Sequence, residues 1–202
     1  MSNYNHHSPN HQVMKDQNFM KKIDFLDGVI RKRTLPPEEI LNLLPIQKKS
    51  SILDAGAGSG YLTIPAAKRT HGTVYALDID PRMLNVIGSK AKSEDLTNIQ
   101  LLQGGLDPIP MANNSVDVVF ASLLLHEVGP LSPILKQMNR VLKMGGYFLC
   151  VEYEKDENVV EGPPMHIRIP SAEMEKELIS AGFIVEQKRF FKEAIYIITA
   201  RK

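Results

Sequence analysis

The strongest constraint in this chain is Leu53-Asp54-Ala55-Gly56-Ala57-Gly58-Ser59-Gly60, three alternate glycines set between an apolar run at 51–53 and a helix-like segment opening at Tyr61. Alternate glycines remove Cβ atoms where backbone passes close to a bound molecule, and they permit positive φ where the chain bends sharply. Their spacing is not the Gly-x-Gly-x-x-Gly of dinucleotide sites. Asp54, just ahead of them, would repel a diphosphate and attract a cationic amino group. The next apolar run, 73–77, closes on Asp78, where a doubly wound sheet places a carboxylate for two ribose hydroxyls. The ligand these residues describe is a nucleoside that carries a cation.

The rest of the chain supplies the frame for such a site. From Ser51 onward apolar strands alternate with amphipathic segments, the pattern of a parallel sheet covered on both faces. A helix over 81–94 is announced by Asp80 as N-cap and Pro81 at the first helical position. Leu131, Ile134, Leu135, Met138, Val141 and Leu142 share one face of another, after which Gly145-Gly146 launches a strand at 147–151. Pro65 falls inside the helix expected after the glycines and predicts a bend there. A helix over 171–181 stops at Gly182, and two apolar runs, 183–191 and 194–200, are close enough to form an antiparallel hairpin. Another helix is expected to open at Leu35-Pro36-Pro37. Before it, about twenty Asn-, His- and Gln-rich residues cannot bury enough apolar surface to hold themselves rigid. Residues 1–35 therefore read as a flexible arm or lid, and 36–202 as one domain. His6, His7 and His11 have the chemistry to bind a metal, yet no cysteine or carboxylate completes a site, so no metal is expected.

In this order the segments resemble the class I S-adenosylmethionine-dependent methyltransferases, and within them the small methyltransferase-domain group similar to the ubiquinone and menaquinone biosynthesis enzymes. The likeness rests on 53–60, then Val74-Tyr75-Ala76-Leu77-Asp78-Ile79-Asp80, then Ile109-Pro110 with Ser115-Val116-Asp117-Val118-Val119-Phe120, and finally Val141-Leu142-Lys143-Met144-Gly145-Gly146-Tyr147. It implies a Rossmann-like α/β fold: a seven-stranded, mostly parallel sheet with an antiparallel C-terminal hairpin and helices on both faces. It also implies S-adenosylmethionine as cofactor, S-adenosylhomocysteine as product, and methyl transfer to a small molecule, on carbon or oxygen rather than nitrogen. Asp54 would hold the methionine amino group, with Ala55, Gly56, Gly58 and Gly60 lining the loop. Asp78 would take the ribose hydroxyls, Ile79 would pack on adenine, and Ala121 would border the cofactor.

The adenine position departs from that pattern, because Gly105 stands where relatives commonly carry an acid. Either the backbone of Gly105 and Leu106 with a water reads the base, or Asp107 reaches back to it. His126, after the strand at 116–123, is a candidate general base; the plainer role is to shape the pocket floor. His166 and Arg168 are candidates for an anionic or carbonyl-bearing substrate, on a segment that reads equally well as a stiff connector. His126-Glu127 does not continue as a zinc-protease motif, since Gly129-Pro130 follows. Lys and Arg number 24 against 23 Asp and Glu, which argues against a nucleic-acid substrate gripped by its phosphates. A lone cysteine, Cys150, and the absence of a long apolar span point to a cytoplasmic protein; oligomeric state is not legible. A non-catalytic S-adenosylmethionine-binding sensor or scaffold is the rival reading.

Overall fold

The computed structural model describes residues 9–191 and 194–202, with side chains for 17–28, 31–191 and 194–202. His6 and His7, and the side chain of His11, lie outside the described residues. Strand β1 (Ile52–Ala55) is flanked in parallel by β2 (Val74–Asp78) and β4 (Val116–Ser122). Beyond them lie β3 (Ile99–Gln103) and β5 (Leu142–Tyr153), again parallel, and β7 (Ile195–Arg201) and β6 (Ile184–Phe191) complete the order β3-β2-β1-β4-β5-β7-β6. Both pairings that involve β7 are antiparallel, as the two C-terminal apolar runs require.

Strand β4 shows why the central strands read as unbroken apolar runs. Val118 and Phe120 point into a core layer with Ile52, Val74 and Leu149, closed by α3 (Pro37–Leu41) and α4 (Thr63–Arg69). Val119 and Ala121, out of phase by one residue, point into the opposite layer with Phe148, Cys150 and α6 (Leu131–Val141) and α7 (Ser171–Ser180). Both faces are dry, so alternation is lost from the sequence. Each fully buried Val or Phe contributes about 1.5–3 kcal/mol relative to exposure.

Local chemistry sets the boundaries. Asp80 caps α5 (Pro81–Ser93) by accepting from the Arg82 N–H at 3.0 Å, as its position predicts. Helix α4 begins at Thr63, later than the Tyr61 expected, because Gly60 holds φ at +82° and delays helical backbone. Pro65 is thereby the third residue of the helix, in its first turn, where proline is best tolerated. Strand β5 starts at Leu142, before Gly145-Gly146 rather than after them, because Gly145 and Gly146 exchange backbone hydrogen bonds with Lys202.

The segment expected as an arm carries two helices where it is described, α1 (Pro9–Leu26) and α2 (Val29–Thr34). It lies on the glycine turn. Asp27 accepts from Ser59 Oγ at 2.7 Å and from Lys90 Nζ at 2.6 Å, while the Arg82 guanidinium stacks on Phe19 at 4.5 Å.

Candidate functional site

Strand β1 ends at Asp54-Ala55 and turns through Gly56, Gly58 and Gly60, with φ of +66°, +53° and +82°. All three lie in the left-handed region that side chains disfavour. A methyl group added to Gly56 would stand 2.5 Å from Leu124 Cδ1, whereas at Gly58 it would meet only Leu26, at 3.5 Å. Thus Gly56 admits the segment after β4, and Gly58 keeps the turn open. The order of strands reverses between β1 and β4, and at their carboxyl ends a cavity of about 490 Å³ opens, where ligands enter sheets of this kind.

Of the carboxylates that line this cavity, Asp54 and Asp78 stand in different settings. Asp78 accepts from the N–H of Gly58 at 2.8 Å and of Asp80 at 2.9 Å, one on each oxygen, so it ties the glycine turn to the end of β2. Asp54 is 3% exposed, and its Oδ2 accepts from Thr63 Oγ1 at 2.6 Å. Burial pushes its carboxyl up to about 7, against the pull of the Thr63 hydrogen bond and the nearby Arg31 charge. A cationic group brought beside it would restore the ionised form.

Ile79, just beyond Asp78, is 75% exposed on the cavity wall and presents an apolar surface there. Gly104, Gly105, Leu106 and Asp107 form the facing wall. Of the candidate cofactor residues, Asp54, Gly56, Gly58, Asp78, Ile79, Gly105 and Leu106 are brought together here. Ala55 and Ala121 are wholly buried in the core below, and Ser122, Leu123 and Leu124 line the cavity in place of Ala121. Gly60 also stands back, since a Cβ there would press on Ile87 at 3.0 Å; it packs α5 against the turn.

The remaining candidates take other places. His126 sits in a 3-10 turn, its side chain 7% exposed, with Nδ1 at 2.6 Å from Glu152 Oε2, and it does not line the cavity. Glu152 itself is buried and accepts from the N–H groups of Leu124 and Leu125 at 2.9 and 2.6 Å. Burial lowers the His126 pKa and the Glu152 bond and charge raise it, with a net rise. The pair therefore anchors the segment whose neighbours Leu123, Leu124 and Glu127 line the cavity. Arg168 is 5% exposed and donates to the carbonyls of Glu154, Val159, Glu161 and Pro163 at 2.6–3.3 Å, which staples the loop after β5. His166 is exposed on that loop, and neither residue lines the cavity.

Arg31 was hidden inside the segment read as an arm. It lines the cavity, stacks over Tyr61 at 4.1 Å and donates to the Leu26 carbonyl at 3.2 Å, while its Nε is buried without a partner. The Arg31-Lys32-Arg33 run held no mark of which cation turns inward.

Residues 53–150 match the model of a family described as methyltransferase domain. A demethylmenaquinone methyltransferase of Geobacillus stearothermophilus is 31% identical over 140 residues, 67% of this chain and 60% of its own length. One of Listeria welshimeri is 33% identical over 117 residues, 57% of this chain and 50% of its own. The chain thus spans between half and three-fifths of the length of these curated relatives. Among solved structures, an S-adenosylmethionine-dependent methyltransferase from Aquifex aeolicus superposes with a TM-score of 0.83 at 27% identity, covering 90% of this chain and 97% of that one. The [4+2]-cyclase SpnF, at TM-score 0.73 and 17% identity, covering 82% of this chain and 79% of that one, shares the fold alone.

Proposed function

We propose that this chain, whose residues 53–150 match the model of a family described as methyltransferase domain, transfers a methyl group from S-adenosylmethionine to a small-molecule acceptor. One observation carries the reading: Asp54 and Asp78, 24 positions apart in sequence, face one cavity across a glycine turn, beside an exposed Ile79. The residues suit that cofactor. Asp54 is a buried carboxylate that lacks a cation of its own in ion-pair contact among the described residues, and so fits the amino group. Asp78 keeps lone pairs for two ribose hydroxyls beyond the two N–H groups it already accepts. Ile79 offers its side chain to adenine, and Gly105 and Leu106 offer backbone groups to the base edge.

When bound, S-adenosylmethionine supplies a methyl group on a sulfonium sulfur that departs as a neutral thioether, so no side chain has to protonate the leaving group. What falls to this chain is alignment and the exclusion of water. Leu26, Leu123, Leu124 and Ile134 form apolar walls. Asp27, just after α1, ties this segment to the glycine turn through Ser59 and Lys90, and its release and return would let ligands in and close the site. His126 acts as a positioning residue through Glu152. The acceptor is methylated on carbon or oxygen, which agrees with curated relatives named demethylmenaquinone methyltransferases. No described helix is long and apolar enough to cross a membrane, and Cys150 is a free thiol, in keeping with action in the cytoplasm.

The test is calorimetry with S-adenosylmethionine, followed by detection of S-adenosylhomocysteine over a panel of phenols, enols and hydroxylated rings. Binding with turnover on at least one acceptor is expected. Tight binding with no product over the panel would favour a sensor, and no binding at all would reject the reading.

A further inference from the structure

A second cavity of about 390 Å³ adjoins the first, and Arg31 and Leu123 belong to the walls of both. Its body is apolar, formed by Phe25, Leu35, Leu123, Tyr153 and Ile195. Two carboxylates, Asp24 and Glu161, also line it, but both are exposed at the rim, where water screens them. At the inner end stands the Arg31 guanidinium, the one cation among the lining residues.

Arg31 feels the charges of Asp54 and Asp27 from a distance but has neither in ion-pair contact among the described residues. Two of its five N–H groups have acceptors, the Leu26 carbonyl at 3.2 Å and Ser122 Oγ at 3.5 Å, the latter at the limit of a hydrogen bond. Nε is buried with no acceptor, and no carboxylate of the described residues forms an ion pair with it. A guanidinium kept in this state, against an aromatic face and between two cavities, is a receptor for an anionic oxygen.

We propose that the second cavity is the acceptor site, and that Arg31 selects acceptors with an apolar, ring-sized body and an anionic oxygen (carboxylate, phenolate or enolate) directed at the wall shared with the cofactor cavity. This rests on the methyltransferase reading above. The cofactor's own carboxylate is the other source of the same chemistry. The first cavity, however, has a further cation in Lys22, whereas the second has Arg31 alone. Holding the oxygen as its anion also favours the electron-rich form that a carbon or oxygen nucleophile needs.

The probes are 4-tert-butylbenzoate and 4-tert-butylbenzamide, equal in shape and different in charge, titrated with and without saturating S-adenosylhomocysteine. The full chain should bind the benzoate about tenfold to a hundredfold more tightly, the range given by a charge-assisted hydrogen bond. Arg31→Gln should abolish that preference both with and without saturating S-adenosylhomocysteine, since the charged partner of the benzoate is removed. Arg31→Lys, which keeps the charge but loses the fork, should retain part of the preference and carries the test if the glutamine variant does not fold. Equal affinity for the two probes, binding of neither, or a loss of S-adenosylhomocysteine affinity with the benzoate preference intact would each overturn the proposal. Failure of the unaltered chain to bind S-adenosylhomocysteine would instead overturn the methyltransferase reading, while the probe pair still reports on Arg31.

Discussion

Replacing Asp54 with Asn tests the buried carboxyl at the heart of the site. Burial raises its pKa from 3.8 to about 7, so between those values the folded protein holds a proton that the unfolded chain has released. Stability must then fall as pH rises through this window, because the native state binds more protons. The whole shift corresponds to about 4 kcal/mol above pH 7, and the part of it between pH 5 and pH 8 to about 2–3 kcal/mol. Asn keeps a hydrogen-bond acceptor for Thr63 and has no charge to desolvate. Urea unfolding of both proteins at pH 5 and pH 8 should show the wild type losing about 2–3 kcal/mol relative to Asp54→Asn. The same carboxylate should make cofactor affinity climb with pH up to about 7, since a bound ammonium favours the ionised form, and Asn should flatten that climb and weaken binding by about 1–3 kcal/mol. Parallel stability curves, or a variant that binds as tightly as wild type at pH 8, would refute the reasoning.

Other perturbations separate site from scaffold. Asp78→Ala should weaken cofactor binding by about 1–3 kcal/mol in a calorimetric titration, because the proposed ribose contact and the Gly58 tether would both go; an unchanged titration removes Asp78 from the site. Arg168→Leu should cost about 3–5 kcal/mol in urea unfolding, as four carbonyls lose a buried charged donor. A selective rise in acceptor KM with stability intact would instead make Arg168 a substrate residue. His126→Gln should leave S-adenosylhomocysteine affinity unchanged and lower kcat through the 123–128 segment. Because the His126 pKa is raised, the ion-pair part of its bond to Glu152 is present below the unfolded value of about 6.5 and is lost as pH rises through the higher folded value. Amide exchange at Leu124 and Leu125 should accordingly quicken with pH in wild type beyond the intrinsic trend, and not in the variant.

Much of this site was legible because local rules govern it. Gly56 and Gly58 mark backbone with φ near +60°, and Asp78 follows an apolar run at a strand's carboxyl end, so short-range pattern and fold agree. Asp80 and Pro81 likewise declared a helix start that the structure keeps. What escaped is set by tertiary packing. Arg31 looks like its neighbours Lys32 and Arg33 until α2 turns it over Tyr61. Arg168 reads as an anion receptor, and in the fold four carbonyls of its own loop gather round it; His126 reads as a candidate base, and in the fold it stands outside the cavity lining with its Nδ1 on buried Glu152. Gly60 carried the right conformational signal with a different cause, a close approach of Ile87 rather than of a ligand.

The most direct measurement is calorimetry of S-adenosylhomocysteine against the unaltered chain and Asp78→Ala, with reduced nicotinamide dinucleotide as control. The account predicts one site per chain, a loss of about 1–3 kcal/mol in the variant, and no heat from the dinucleotide. Binding of the dinucleotide in place of S-adenosylhomocysteine, or an affinity indifferent to Asp78, would contradict it.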